Sequence, residues 1–269
     1  MRGAPGGSPD GTYHGSPGGT PDEAAGAAGP ALVAVPGGQP PHGARAAVLL
    51  LHGGRADALE PPTRLNLPAR RMRPFAAALV RATADDGVLV ARVRYRHRGW
   101  NGPHAHPVAD VHRALDELRA LTGPVPVVLV GHSLGGRAAL RAAGDPQVTG
   151  VVALAPWCPP GEPTEHLRGR TVVALHDEAD RVTRAADTWA CLTRAHAAGA
   201  RVVGIRMPAG GHAMIRRAGL WHRITAGATA ALLGTAPCPS LTGDLGWTGI
   251  PRPAPDPPAR RAARGSVPG

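Results

Sequence analysis

The residues of this chain that could do chemistry centre on Gly131-His132-Ser133-Leu134-Gly135. Residues 127–130 before it are β-branched and apolar, as a buried strand requires. Ala138, Ala139, Leu140 and Ala142 after it suit a helix. A serine with glycines two residues to either side, between strand and helix, fits a sharp, strained turn that lifts its Oγ clear of the backbone. With five serines and 37 glycines in 269 residues, about 0.1 such matches arise by chance. Ser133 is, however, also the only serine between Ala44 and Gly234. Acyl transfer by serine needs a base for the Oγ proton, an acid to orient that base, and donors for the developing oxyanion.

Two later segments supply the first two. Asp177-Glu178-Ala179-Asp180-Arg181-Val182 follows one apolar run, and Met207-Pro208-Ala209-Gly210-Gly211-His212 follows the next. Acid and histidine therefore lie downstream of the serine in the order nucleophile, acid, base. Among thirteen histidines, His212 has the best setting, with two glycines before it and a helical period after it. His176 falls inside an apolar run, as a packed side chain would. His132 suits the pocket wall or the underside of the turn better than the role of base. Asp180 is preferred over Asp177, which stands so close to the strand end that it can tie the turn to backbone N–H groups. The competing role for Asp180 is a turn carboxylate paired with Arg181 or Arg184. His52-Gly53-Gly54, ending an earlier apolar run, offers N–H groups toward a bound oxygen, and Leu134 offers another just beyond the nucleophile.

Stepping outward, apolar runs at Ala46–Leu51, Val88–Val93, Val148–Leu154, 171–176 and 201–206 read as strands. Residues 75–83, 107–122, 185–198 and 217–233 read as helices. Continuous apolar runs mean strands buried on both faces, and strand–helix alternation makes the expected fold α/β, a mostly parallel sheet flanked by helices. Only residues 155–170, rich in proline, separate two of the strands, which leaves no room for a helical cap. The pocket is then shallow or roofed by loops. Trp157 and Trp100 are candidates for an apolar substrate wall, or else simply pack over the strand ends. Residues 1–43, dense in Gly and Pro, are expected to be disordered apart from a short strand at 31–35. Residues 44–235 form the domain, and 236–269 a disordered, basic, Pro-rich tail.

Composition excludes more than it assigns. The net charge of +11 comes from arginine alone, since the chain has no lysine. The arginines are scattered without aromatic interleaving, so no nucleic-acid partner is expected. Cys158, Cys191 and Cys238 are too few and too far apart for a disulfide framework or a zinc site, and His104-x-His106 lacks further ligands at recognisable spacing. No metal or other cofactor is expected. No apolar run approaches about 18 residues, so membrane insertion is not expected and a soluble, cytoplasmic protein is. Oligomeric state is not legible.

The segments AVLLLHGG, VGHSLGG, LHDEADRV and PAGGHAM together resemble the α/β-hydrolase superfamily over residues 45–234. The small, cap-poor members of the dienelactone-hydrolase and carboxylesterase type are the most similar. The resemblance implies an eight-stranded, mostly parallel sheet and a Ser133–His212–Asp180 triad. It also implies oxyanion donors at Gly54 and Leu134, although Arg55 stands where related esterases carry a further glycine and leaves Gly53, Gly54 or Arg55 as the first donor. The expected activity is hydrolysis of a small-molecule carboxylic ester or thioester through an acyl-enzyme. The rivals are an acyltransferase or perhydrolase with the same triad, and a non-catalytic ligand-binding protein of the same fold.

Overall fold

The computed structural model describes residues 29–63 and 65–236. Strand β2 (Ala46–Leu51), with the sequence AAVLLL, shows how the fold is built. Ala47, Leu49 and Leu51 point into one apolar cluster and Ala46, Val48 and Leu50 into another. A strand buried on both faces must lie at the centre of a sheet covered by helices on each side. Around it run β3 (Val88–Val93), β4 (Val127–His132), β5 (Val148–Leu154), β6 (Thr171–Asp177) and β7 (Arg201–Met207), all parallel. Strand β1 (Leu32–Ala34) closes one edge antiparallel to β3, giving the order β1-β3-β2-β4-β5-β6-β7. Helices α3 (His106–Thr122), α4 (Leu134–Ala142) and α5 (Ala185–Ala197) fill the first cluster. Helices α2 (Arg73–Ala82) and α6 (Ala218–Leu233) fill the second. The short α1 (Leu67–Arg71) buries no residue and leads into α2.

The chain runs from β2 outward to β3, then crosses back to β4 on the other side of β2. The connections leave in opposite directions there, which opens a crevice at the carboxyl ends of β2 and β4. His52-Gly53-Gly54 ends β2 and Ser133 ends β4, so the strand order brings these two segments together. Between β5 and β6, residues 155–170 hold a single 3₁₀ turn, Glu165–Leu167, and no cap.

Three expectations change. The sheet has seven strands among the described residues rather than eight. The domain begins well before residue 44: Ala31 is fully buried, and its N–H and that of Leu32 donate to the two carboxylate oxygens of Glu117 on α3, at 2.9 and 2.8 Å. The short strand expected at 31–35 is present as β1, and it covers the open edge of β3. The third concerns helix starts: α2 begins at Arg73 because Pro74 occupies the first turn, where its missing N–H costs nothing. Cys158 and Cys191 are free and buried. Cys238, the tail beyond residue 236 and residues 1–28 lie outside the described residues.

Candidate active site

Ser133 sits between β4 and α4 with φ 54° and ψ −118°, a region L residues rarely enter. The neighbouring glycines explain how the chain tolerates it. A Cβ on Gly131 would lie 2.2 Å from the carbonyl oxygen of Gly135, and one on Gly135 would lie 2.4 Å from that of Leu51. The turn closes only because both are absent.

Oγ of Ser133 lies 2.9 Å from Nε2 of His212, and Nδ1 of that ring lies 2.8 Å from Oδ2 of Asp180. With Nδ1–H donating to the carboxylate, Nε2 is left to accept the serine proton. Asp180 is held from several sides. Its Oδ1 accepts the N–H groups of Val182 at 2.8 Å and Thr183 at 3.2 Å, and its Oδ2 accepts from the Thr183 hydroxyl at 3.0 Å. Nε2–H of His176 also reaches Oδ2 at 3.2 Å, while the other ring nitrogen meets the Thr188 hydroxyl at 2.8 Å. Burial pushes the Asp180 carboxyl up, but the hydrogen bonds from His176, His212 and Val182 outweigh it, and the group stays ionised far below the usual carboxylate range. No bond joins Asp180 to Arg181 or Arg184. Asp177 takes the other role considered for it: Oδ1 accepts Ala179 N–H at 2.9 Å and Oδ2 accepts Gly211 N–H at 2.8 Å, tying the acid loop to the histidine loop.

His132 is buried, and its Nε2–H donates to the carbonyl oxygen of His212 at 2.8 Å. It is a post under the histidine loop. Burial and then the neighbouring His212 lower its pKa to about 3, so the ring is neutral. The side chain of Arg71 reaches the carbonyl oxygens of Ala213 and Met214 and braces the same loop from α1.

The N–H of Leu134 opens α4 beside Ser133 and has no backbone acceptor among the described residues; the same holds for Gly53 and Gly54. Arg55 is excluded as a donor, because its N–H is already bonded to the carbonyl of Arg98 at 3.0 Å. That bond, with those from Gly99 to Ala58, Trp100 to Arg55 and Asn101 to Ala56, zips residues 55–58 to residues 98–101 and fixes the His52–Gly54 turn. A Cβ on Gly54 would lie 2.3 Å from the carbonyl oxygen of Arg98 and force this zipper apart.

The tryptophans do something the sequence did not reveal. The Arg137 guanidinium lies 3.8 Å from the ring centre of Trp100 and 4.5 Å from that of Trp157. Its Nε donates to Glu162 at 2.7 Å, and Arg141 binds the other oxygen of that carboxylate. Trp100 is 3% exposed. These two rings clamp the guanidinium of Arg137 on α4, Trp100 buried and Trp157 half-buried. Arg137 lies four residues after Ser133 on α4, but nothing in the sequence linked it to Glu162.

Comparison with known proteins agrees with this fold. A family model described as the alpha/beta hydrolase family matches residues 48–267. Among solved structures, the chain is similar to MGS-M1, an alpha/beta hydrolase enzyme from a Medee basin deep-sea metagenome library, at 18% identity and a TM-score of 0.55. That match covers 71% of this chain and 86% of the other. An alpha-beta serine hydrolase homologue from Coxiella burnetii matches at 15% identity and a TM-score of 0.52, over 72% and 88% of the two chains. XC6422 from Xanthomonas campestris, described as a serine hydrolase without lid, matches at 17% identity and a TM-score of 0.50, over 76% and 86%. None of the curated proteins matches. With its crossover at β2 and β4, its strained serine turn and a family match spanning most of its length, the chain belongs to the alpha/beta hydrolase family.

Proposed function

We propose that the protein is a serine hydrolase of carboxylic esters or thioesters. The observation that carries this reading is the unbroken relay from Ser133 Oγ through His212 to Asp180, at 2.9 and 2.8 Å. Ser133 Oγ attacks the carbonyl carbon while its proton passes to Nε2 of His212. The oxyanion is received by the N–H groups of Leu134 and Gly54, which are fixed before substrate arrives. Asp180 holds the tautomer and offsets the charge of the imidazolium. The carbon–oxygen or carbon–sulfur bond then breaks, and His212 returns the proton to the departing alcohol or thiol. Water attacks the acyl-Ser133 ester while its proton passes to His212; the bond from the acyl carbon to Oγ then breaks, His212 returns the proton to Ser133 Oγ, and the acid leaves.

A fluorophosphonate tests the assignment, because it reacts with a serine only where a base and oxyanion donors activate it. One modification at Ser133 is expected, read by peptide mass spectrometry, and none in Ser133→Ala. A folded wild type that does not label would favour a ligand-binding protein of the same fold.

A further inference from the structure

A cavity of about 1030 Å³ opens beside the strand-end turn of β2, between the ends of β1 and β3, residues 59–63 and α1. Ser133, Asp180 and His212 are not among its lining residues. The link is His52, whose ring forms part of the wall, while a Cβ on its neighbour Gly53 would lie 3.4 Å from Cβ of Ser133. The floor is apolar, with Leu50, Met72 and Val93. Among the described residues the charged lining is one-sided: six arginines and no carboxylate.

Two of these arginines are already engaged. Arg96 and Arg113 share the carboxylate of Asp110, and Glu117 serves Arg113 and the β1 N–H groups. Arg92 is half-buried and Arg70, Arg73 and Arg94 are exposed, and none of the four makes a side-chain hydrogen bond or ion pair among the described residues. Two further polar groups in the lining are buried without a partner, the Tyr95 hydroxyl and the Asn66 side-chain nitrogen. Tyr95 is 2% exposed, and burial, with Asp110 nearby, pushes its pKa well up, so it stays a donor. Buried polar atoms are almost always paired, so each orphan calls for a partner. These two orphans can both donate, and beside them the Arg92 and Arg94 guanidiniums stand two residues apart on one strand end. Guanidinium forks match the planar oxygens of a carboxylate or phosphate.

We propose that this cavity binds an organic anion, a carboxylate or phosphate carried on an apolar body. The charged end meets Arg92, Arg94 and the Tyr95 hydroxyl, and the apolar body lies on Leu50 and Met72. The proposal does not rest on the hydrolase reading, since no lining residue belongs to the relay.

Calorimetric titration of the full chain with benzoate, octanoate and phenyl phosphate tests it, with benzyl alcohol as the neutral analogue and benzylamine as the cationic one. The carboxylate and phosphate arms separate the two sources of the anion. At least one anion is expected to bind, with the neutral and cationic analogues tenfold weaker or more. Combining Arg92→Met with Arg94→Met should weaken the anion by about tenfold or more, as loss of charged hydrogen bonds does. Tyr95→Phe should weaken it less, and Ser133→Ala not at all. Arg70→Met with Arg73→Met, on the separate helical segment, gives a second pair, and near-ultraviolet circular dichroism checks that each variant is folded. The proposal falls if no anion binds at millimolar concentration, if benzyl alcohol binds as well, if neither arginine pair changes the affinity, or if Ser133→Ala abolishes binding.

Discussion

Asp180 and Asp177 stand three residues apart on one loop, and their surroundings give them different work. Asp180 faces His212, while Asp177 spends both oxygens on backbone N–H groups. Asp180→Asn removes the acceptor that selects the Nδ1–H tautomer, so kcat should fall by about 10⁴-fold with the fold intact. Asp177→Asn leaves the relay in place and should cost far less; kcat measured on a soluble ester for both variants decides the order. The sequence could rank these acids because strand-end distance is legible in it. It could not show that His176 and Thr183 serve the acid, since a histidine inside an apolar run reads only as packing. The bond from His176 is a large part of what keeps the Asp180 carboxyl ionised. His176→Gln, acting as a positioning change, should lower kcat by about tenfold, the scale of one lost charged hydrogen bond. It should also move the acid limb of the kcat–pH profile, whereas a change of packing alone would lower the rate at every pH alike.

Strands and helices of this chain were legible because the core strands are short, continuous apolar runs rich in Val and Leu, whereas the longer helices carry apolar residues at a 3.6-residue period. Strand β1 was legible as a short strand at 31–35, but not as part of the domain. Three residues in a Gly- and Pro-rich stretch give a weak signal, and their stability comes from contacts distant in sequence: pairing with β3, the Glu117 carboxylate on α3, and the Arg94 N–H donating to the carbonyl of Ala31 at 2.7 Å. The Arg137 clamp escaped for the same reason, because Trp100, Arg137, Trp157 and Glu162 meet only once four separate segments have folded. Deleting residues 1–43 should therefore do more than trim a tail. It exposes Val93 and Ala91 at an unpaired edge and leaves Glu117 without its two N–H partners. A loss of about 3 kcal/mol is expected from burial and hydrogen bonds together, read as a lowered urea midpoint. The bare edge should also promote self-association visible by light scattering. A midpoint equal to that of the full chain would mean that β1 contributes nothing to the domain.

The whole molecule is basic, with a net charge of +11 before any histidine is protonated, and it folds with neutral histidines buried near its centre. His132 has its pKa lowered to about 3 by burial first and His212 second, and His52 is lowered by burial despite its bond to the Gly53 carbonyl. In the unfolded chain both titrate near 6.5. Between those values the unfolded state binds more protons than the folded one, so stability must fall as pH falls. Stability is complete above about pH 6.5, and the loss continues down toward the lowered folded values. Asp180 adds a second decline at lower pH: its folded carboxyl is depressed, so its contribution is present above the ordinary aspartate range and is lost below it. Urea midpoints should hold steady from about pH 8 to 7 and then drop, with His132 alone contributing up to about 1.4 kcal/mol per pH unit. His132→Gln keeps a donor for the His212 carbonyl but cannot titrate. Its stability between about pH 6 and 4 should decline less steeply than that of the wild type, by close to that amount per unit. Parallel declines in the two proteins would show that His132 takes up its proton without unfolding, and that the post beneath the histidine loop is wetter than its burial implies.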